Sequence, residues 1–297
     1  MGLRGAAATA VFLAMASPAS ATAVAWAGVG GGSIDPGFGV LDPIGPTLDI
    51  RESYARVTGV AYDPTRDVIW SFQPTGRDRT PGTLRSHDPV TGAELSSVVE
   101  PAFTTGSDRN NLITDLAVNP VTGDLWGITY GDSSSQLFII DPVDASRSAL
   151  GVDGSHVANN AAAIAFSSDG LLFSTSYNQA QIWQLDTATL LPVTSWAFAG
   201  GNPLGLGWDP DADQLALVSS EIGGAGGETV SLVELGGGVA NIATLTQVAQ
   251  FSTGALHDIT FVPELDRNAA PVPLPGAAGL LAAGLAGLGL ARRRRRG

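Results

Sequence analysis

The 297-residue chain contains neither cysteine nor lysine, and its formal net charge at pH 7 is −13. Six of its 15 arginines, Arg4 and Arg292–Arg296, lie near the termini, which leaves nine against 28 acidic residues and a net charge near −19 for the body between them. A surface this acidic repels nucleic acid and anionic lipid. The absence of cysteine excludes a disulfide framework, so a body of this length has to be stabilised by its own core.

The N-terminus has the pattern of a secretory signal peptide. Arg4 is followed by an apolar run at residues 6–16 and then by Ala19-Ser20-Ala21, in which Ala19 and Ala21 form an A-x-A cleavage site. This order of charge, apolar run and small residues predicts a signal peptide at residues 1–21, and therefore export.

Five segments of the body repeat one pattern, in which an apolar strand is followed by a turn of Asp, Asn or Ser with Pro or Gly and then, in four of them, by a second apolar strand. They align at Gly59, Asp115, Ala163, Gly205 and Asp258, with spacings of 56, 48, 42 and 53 residues. A repeat of this length built from short strands predicts an all-β fold, a β-propeller with one four-stranded blade per repeat. A β-sandwich or a β-helix is the structural alternative.

Each repeat carries a later marker, an apolar strand that ends in an acidic turn. The markers occur at residues 84–91, 137–142, 182–187 and 230–235, and residues 38–43 resemble them. We therefore expect the N-terminal segment to complete the blade that the last repeat begins. This predicts a propeller of five blades at residues 38–266, or six if one repeat is degenerate, preceded by a Gly-rich linker at residues 22–37.

The repeats resemble those of WD40-like and quinoprotein-like propellers in general layout, over about 220 residues. The Gly-His and Trp-Asp signatures of such repeats are missing. Because propellers host many unrelated functions, the resemblance implies a fold and no particular activity.

Oxygen-rich side chains lie at or before the predicted first strands, which line the central channel of a propeller. The candidate metal ligands are Asn111, Asp115, Asn159, Asn202, His257 and Asp258. Such a set suits Ca²⁺, which takes six to eight oxygen ligands, and makes calcium the one cofactor candidate. In some propeller lactonases a metal at a comparable site activates water. The simpler alternative is that these residues form local turns.

Motifs for other chemistry are absent from the sequence. There is no Gly-x-Ser-x-Gly elbow and no histidine metal motif, so no catalytic residue is assigned. Asp209-Pro-Asp-Ala-Asp213 lacks the Gly and Glu of an EF-hand and is predicted to be a hairpin turn. His87 is predicted to lie on the surface, and Trp70 and Trp126, at matching second-strand positions, are predicted to pack between blades.

The C-terminus has three consecutive parts. A Pro-rich linker at residues 267–275 leads into an apolar run at residues 276–291, and an arginine-rich tail follows at residues 292–297. As a helix the run would span about 24 Å at 1.5 Å per residue, close to the hydrocarbon core of a bilayer. Arginines at consecutive positions favour the cytoplasmic side; they are Arg292, Arg293, Arg294, Arg295 and Arg296. An ordinary membrane anchor is the general interpretation.

The tail also resembles a more specific signal. Its motif residues are Val272, Pro273, Leu274, Pro275 and Gly276. With the helix and the arginines they resemble the VPLPA-CTERM sorting signal of bacteria, a variant of the PEP-CTERM class, in which Ala usually stands where Gly276 does. The resemblance implies export, transient retention in the cytoplasmic membrane and processing by an exosortase-type enzyme.

Proteins with this class of tail are often associated with extracellular polysaccharide and matrix. The resemblance therefore predicts a protein of the cell surface or extracellular matrix that acts by binding. Its expected partners are exopolysaccharide or envelope proteins, and nucleic acid is not among them. A non-enzymatic role is the first hypothesis. A calcium-dependent lactonase or esterase with a central-channel metal is the second, and a periplasmic or surface scaffold for another protein is the third.

Overall fold

The computed structural model is an all-β propeller of five four-stranded antiparallel sheets. It describes residues 24–29, 37–42, 47–54, 56–74, 81–101, 112–129, 135–150, 161–176, 179–220, 227–236, 242–251 and 256–263. These residues belong to one compact unit, Thr22–Pro263. Within these ranges no helix has the length and apolar character that crossing a membrane requires. The predicted signal peptide, sorting motif, apolar helix and arginine tail lie outside the described residues.

The strands follow one another around the ring in chain order. The chain opens with β1 (Val24–Val29), β2 (Gly37–Asp42) and β3 (Thr47–Ser53). The first blade contains β4 (Gly59–Asp63), β5 (Val68–Gln73), β6 (Thr83–His87) and β7 (Glu94–Val99), and the second β8 (Ile113–Val118), β9 (Leu125–Thr129), β10 (Leu137–Ile140) and β11 (Arg147–Ala149). The third contains β12 (Ala161–Phe166), β13 (Leu172–Ser176), β14 (Gln181–Leu185) and β15 (Pro192–Ala197), and the fourth β16 (Pro203–Asp209), β17 (Gln214–Ser220), β18 (Glu228–Leu235) and β19 (Ala243–Phe251).

The ring closes by joining the two ends of the body. The last strand, β20 (Leu256–Val262), pairs antiparallel with β1, so the fifth blade has the order β20-β1-β2-β3. The predicted closure by the N-terminal segment is therefore confirmed, as is the number of five blades. Each innermost strand contacts the innermost strands on both sides, and β20 contacts β4. A sandwich or a β-helix does not form such a ring.

The predicted start of the propeller was wrong. Residues 22–37 were assigned to a Gly-rich linker, whereas β1 occupies Val24–Val29 within them and supplies the second strand of the closing blade. The glycine there has a packing role, because a Cβ on Gly28 would lie 2.9 Å from Cγ1 of Val57. The absence of a side chain at Gly28 therefore allows close packing against the first blade.

Burial decreases from the centre of the ring to its outside. All six residues of β12 are buried, whereas β7 and β15, the outermost strands of their blades, contain only exposed and half-buried residues. An innermost strand packs against neighbouring blades on both faces, which explains its nearly continuous apolar sequence. As predicted, Trp70 and Trp126 are buried in clusters between blades.

One face of the ring is made of short turns, which we call the tight-turn face. It carries the turns from first to second and from third to fourth strands, because alternate connections of an antiparallel sheet lie on the same side. In many of them an Asx side chain accepts backbone N–H bonds from residues two or three positions ahead. These side chains are Asp63, Asp88, Asn119, Asp141, Asp186 and Asp209. The predicted hairpin at Asp209–Asp213 is thus confirmed.

His87 is buried, contrary to its predicted surface position. Its side chain is 0% exposed and stacks on Phe38 of the closing blade at 4.3 Å between ring centroids. Although the turn that follows is exposed, His87 itself ends β6 and packs against the adjacent blade. Burial, the largest cause, lowers the pKa of His87 to about 4.

The aligned positions predict a sharp dependence of stability on side-chain size. A Cβ on Gly205 would lie 2.6 Å from Cα of Asp258 and 2.6 Å from the carbonyl oxygen of His257. Because these atoms belong to the main chain of the next blade, Gly205→Ala should lower the free energy of unfolding by about 1–3 kcal/mol. Denaturant unfolding of the purified full-length protein in detergent measures this.

The matched control is Gly200→Ala. A Cβ at that position would meet side-chain atoms only, at 3.3 Å or more. We expect its unfolding free energy to stay within about 0.5 kcal/mol of wild type, as for most substitutions away from tightly packed sites. Equal stability of the Gly205→Ala and Gly200→Ala variants would contradict the close approach of the fourth and fifth blades.

Candidate functional site

The five aligned positions of the repeats occupy equivalent places on the five innermost strands. In β8, β12 and β16 the register shifts immediately before the aligned residue. Small residues occupy three of the five positions, Gly59, Ala163 and Gly205, and aspartates occupy the other two. The small residues let the neighbouring strands approach, since a Cβ on Gly59 would lie 3.0 Å from Cα of Asp115.

Asp115 and Asp258 meet at the centre of the ring, and we call them the axial carboxyl pair. Both are 0% exposed, and their carboxyl groups are hydrogen-bonded to each other. Because the second and fifth blades are not adjacent, this hydrogen bond joins blades that do not share an interface between innermost strands. Two carboxyl groups can share a hydrogen bond only while one of them holds a proton.

The pair accepts one backbone N–H from each of the five blades. Asp115 accepts the N–H groups of Leu116 at 2.6 Å and Ile164 at 2.8 Å. Asp258 accepts those of Val60 at 2.6 Å and Ile259 at 2.8 Å, and also that of Leu206. We call the five donor residues the first tier. Each of them directly follows the aligned position of its repeat.

Burial and proximity keep a proton on this pair. Burial is the largest cause that raises the pKa of both carboxyls, and the charge of Asp258 raises the pKa of Asp115 further. The hydrogen bonds that Asp258 receives lower its pKa and offset part of the effect of burial. The two carboxyls therefore share a proton and titrate as a unit.

This arrangement does not fit a calcium site. The oxygens of the axial carboxyl pair face N–H groups, whose positive ends repel a cation, whereas calcium requires free oxygen lone pairs. Among the described residues, no three acidic or histidine side chains lie close enough together to hold a metal ion. The predicted convergence of Asp115 and Asp258 is thus seen, but they converge on each other and on backbone donors.

The other predicted ligands lie apart or outside the described residues. Asn202 is exposed, and its backbone carbonyl accepts the N–H of Ser220 at 2.9 Å. Burial, the largest cause, together with the charge of Arg56, lowers the pKa of His257 to about 4, so this histidine is neutral at pH 7. Asn111 and Asn159 lie outside the described residues, and their role as ligands stays a prediction.

A cavity of about 240 Å³ lies along the axis between the axial carboxyl pair and the tight-turn face. The first tier forms its floor. A second tier, two residues further along each strand, forms its wall: Tyr62, Val118, Phe166, Trp208 and Phe261. The rim, another two residues on, contains Pro64, Pro120, Ser168, Pro210 and Pro263. Four aromatic residues in one tier and four prolines at the rim make the cavity largely apolar.

Sequence reasoning placed the binding site at the beginnings of the innermost strands, whereas this cavity lies at their ends. None of Asp115, Asn202, His257 and Asp258 lines it. The repeats nevertheless carry a sequence signal for this cavity. In three of them an aromatic second-tier residue lies two positions before a rim proline: Tyr62-Asp-Pro64, Trp208-Asp-Pro210 and Phe261-Val-Pro263.

Two other buried polar contacts lie outside the cavity, one within the first blade and one between two blades. Oγ of Ser71 lies 2.7 Å from Nε2 of His87, a distance typical of a nucleophile and its base, but both residues are 0% exposed, so no substrate can reach them. Arg147 and Glu100 form a buried ion pair between the second and first blades, in which the guanidinium lies 5.6 Å from the ring centroid of Phe72.

Comparisons with known proteins leave the function open. No protein-family model and no curated protein matches the sequence. Among solved structures, one chain in a nidogen/laminin complex is 14% identical, with a TM-score of 0.46, 81% of this chain and 98% of that chain being covered. A protein of unknown function from Bacteroides caccae is 13% identical, with a TM-score of 0.44 and coverage of 81% and 99%.

A third similar structure is a putative 6-phosphogluconolactonase from Bacteroides uniformis. It is 16% identical, with a TM-score of 0.41, and the similarity covers 78% of this chain and 68% of that one. These similarities assign no function to this chain, since unrelated functions occur on one fold.

The axial carboxyl pair predicts a particular dependence of stability on pH. Because folding raises the pKa of these carboxyls, their contribution to stability is present below the unfolded value of about 3.9 and is lost as pH rises through the raised folded value. In Asp115→Asn the amide N–H still donates to Asp258 without a proton to lose. We expect urea unfolding of the full-length variant in detergent to lose less stability between pH 5 and pH 9 than wild type.

Asp258→Asn is the comparison variant. Both substitutions place an amide nitrogen near backbone N–H groups, but Asp258 accepts three of these groups and Asp115 accepts two. Asp258→Asn should therefore destabilise more than Asp115→Asn at pH 7, by about 2–4 kcal/mol relative to wild type. Identical pH profiles for wild type and Asp115→Asn would show that no shared proton links the two carboxyls.

Proposed function

We propose that this chain is an exported β-propeller of the cell surface or extracellular matrix that acts by binding, and that the axial cavity is its ligand site. The observation that carries the proposal is the cavity itself, an aromatic-walled recess of about 240 Å³ that opens on the tight-turn face. Concave, mostly apolar recesses with a few polar groups are the usual sites of small ligands in proteins.

The location in this proposal comes from the two ends of the sequence. A signal peptide at residues 1–21 and the sorting tail at residues 272–296 support export, transient retention in the cytoplasmic membrane and recognition by an exosortase-type enzyme. The acidic body, with a net charge near −19, suits a soluble extracellular domain with no affinity for nucleic acid.

The chemistry of the described residues favours binding over metal-dependent hydrolysis. A lactonase of the channel type needs carboxylates that are free to hold a metal and activate water. In this propeller the two axial carboxyls instead accept hydrogen bonds from the first tier, and the cavity wall is built mainly from aromatic and aliphatic side chains. Extracellular polysaccharide is the ligand that we propose to test first.

The sorting motif predicts a processing defect. Replacing Val272, Pro273, Leu274 and Pro275 together by alanine should leave the full-length protein in the membrane fraction of the producing cell, because the processing enzyme would no longer recognise the tail. Wild-type protein should be shorter and should appear in the surface or extracellular fraction. Immunoblots of cell fractions measure both. Processing of the variant at the wild-type rate would contradict the assignment of the tail.

Binding to polysaccharide is measured by co-sedimentation of the purified full-length protein with exopolysaccharide from the producing cell. We expect saturable binding with an affinity in the micromolar to millimolar range, and unchanged binding when calcium is removed with a chelator. A control incubation with double-stranded DNA should show none. Absence of binding to the polymer, or ester hydrolysis that requires added calcium, would overturn the proposed function.

A further inference from the structure

The cavity wall exposes main-chain hydrogen-bonding groups. Along an antiparallel strand, residues that point their N–H and C=O groups toward the paired strand alternate with residues that point them away. The N–H of Val60 points toward the axis, because Asp258 accepts it at 2.6 Å. The N–H of Tyr62, two residues later, also points away from β5 and is accepted by Oγ1 of Thr260 at 3.0 Å.

The same alternation holds in the other four blades. Each innermost strand keeps a regular register from its first-tier residue to its second-tier residue, as in the pairing of Leu116 with Gly127 and of Val118 with Leu125. The second-tier N–H and C=O groups therefore point toward the axis in every blade. Apart from the N–H of Tyr62, which Thr260 accepts, the wall of the cavity thus presents donors and acceptors at one level.

Aromatic rings stand at this same level. Tyr62 and Trp208 are half-buried, whereas Phe166 and Phe261 are buried, so the first two present part of their rings to an entering molecule. A ligand that matches this wall needs groups that donate and accept at once, together with an apolar face. Hydroxyl groups on a carbon ring have both properties, because each hydroxyl is a donor and an acceptor.

The charges around the cavity exclude acidic ligands. The floor is formed by the first tier, whose N–H groups the axial carboxyl pair already accepts. Four exposed carboxylates lie in the turns at the rim: Asp67, Asp169, Asp211 and Asp213. Arg66, in the same turn as Asp67, is paired with Asp63. A phosphate or carboxylate group entering here would meet negative charge, whereas a neutral ligand would not.

We infer that the axial cavity is a subsite for one neutral sugar unit, the terminal or side-chain unit of a neutral polysaccharide. Its hydroxyls exchange hydrogen bonds with the second-tier backbone, and its carbon face lies against the rings of Tyr62 and Trp208. The volume of about 240 Å³ suits a single ring and not an extended chain. This inference rests on the proposed function and specifies its ligand.

Calorimetry of the full-length protein with free sugars tests the chemistry. Glucose, galactose and mannose are the neutral probes, and glucuronate and galacturonate are the acidic ones. We expect at least one neutral hexose to bind with a millimolar Kd and to displace the polymer, and the matching uronate to bind at least tenfold more weakly. Failure of every neutral hexose, or equal binding of a hexose and its uronate, would overturn the inference.

Two tryptophan substitutions test the location. Ser168 is exposed and lines the cavity, so Ser168→Trp should cover the mouth and weaken hexose binding at least tenfold. Ala212 is exposed in the corresponding turn of the fourth blade and does not line the cavity, so Ala212→Trp should bind as wild type does. Far-ultraviolet circular dichroism verifies that both variants keep the β fold.

The outcomes separate this inference from the proposed function. If Ser168→Trp and wild type bind polymer and hexose equally, the cavity is not the subsite, although the protein still binds polysaccharide. If wild type binds no polymer at all, the proposed function fails as well. Should Ser168→Trp not fold, the comparison of hexose with uronate on the wild-type protein still decides the chemistry of the ligand.

Discussion

The hydrogen bond between Asp115 and Asp258 is the interaction on which the centre of this propeller depends. Innermost strands leave one edge unpaired, and unpaired N–H groups buried away from water are costly. Two carboxyl groups that share a proton accept one such N–H from every blade. The pair also constrains ring closure, because it joins the second blade to the fifth, which contains both ends of the body.

A burial cost accompanies this arrangement. Placing two carboxyls in the core would be unfavourable if both were charged, and the retained proton reduces the charge to one. Glycine at positions 59 and 205 complements the carboxyl pair. The strand that contains each glycine can approach the strand that contains the neighbouring aspartate only because no Cβ lies between them. The residues at the five aligned positions therefore form one unit, in which small and acidic side chains have complementary roles.

Closer to the tight-turn face, the edges of the same innermost strands line the cavity instead of binding the carboxyl pair. The first tier is satisfied by the carboxyl pair, whereas the second tier lines a cavity that leads to the tight-turn face. The Asx turns of that face are held by their own hydrogen bonds, so they form a short and defined rim around the opening. The axial carboxyl pair and the cavity thus lie on one axis, with only the first tier of residues between them.

The amino-acid sequence by itself determined the repeat, the five blades and the closure, because strand and turn residues recur with a period that only neighbouring blades can satisfy. It also placed Asp115 and Asp258 at equivalent positions. It did not reveal β1, whose short Val-Ala-Trp-Ala-Gly-Val stretch became a strand only by pairing with β20. Whether two aspartates bind calcium or each other depends on the direction of backbone N–H groups from five separate strands. Only the tertiary structure decided that, and with it the position of the cavity.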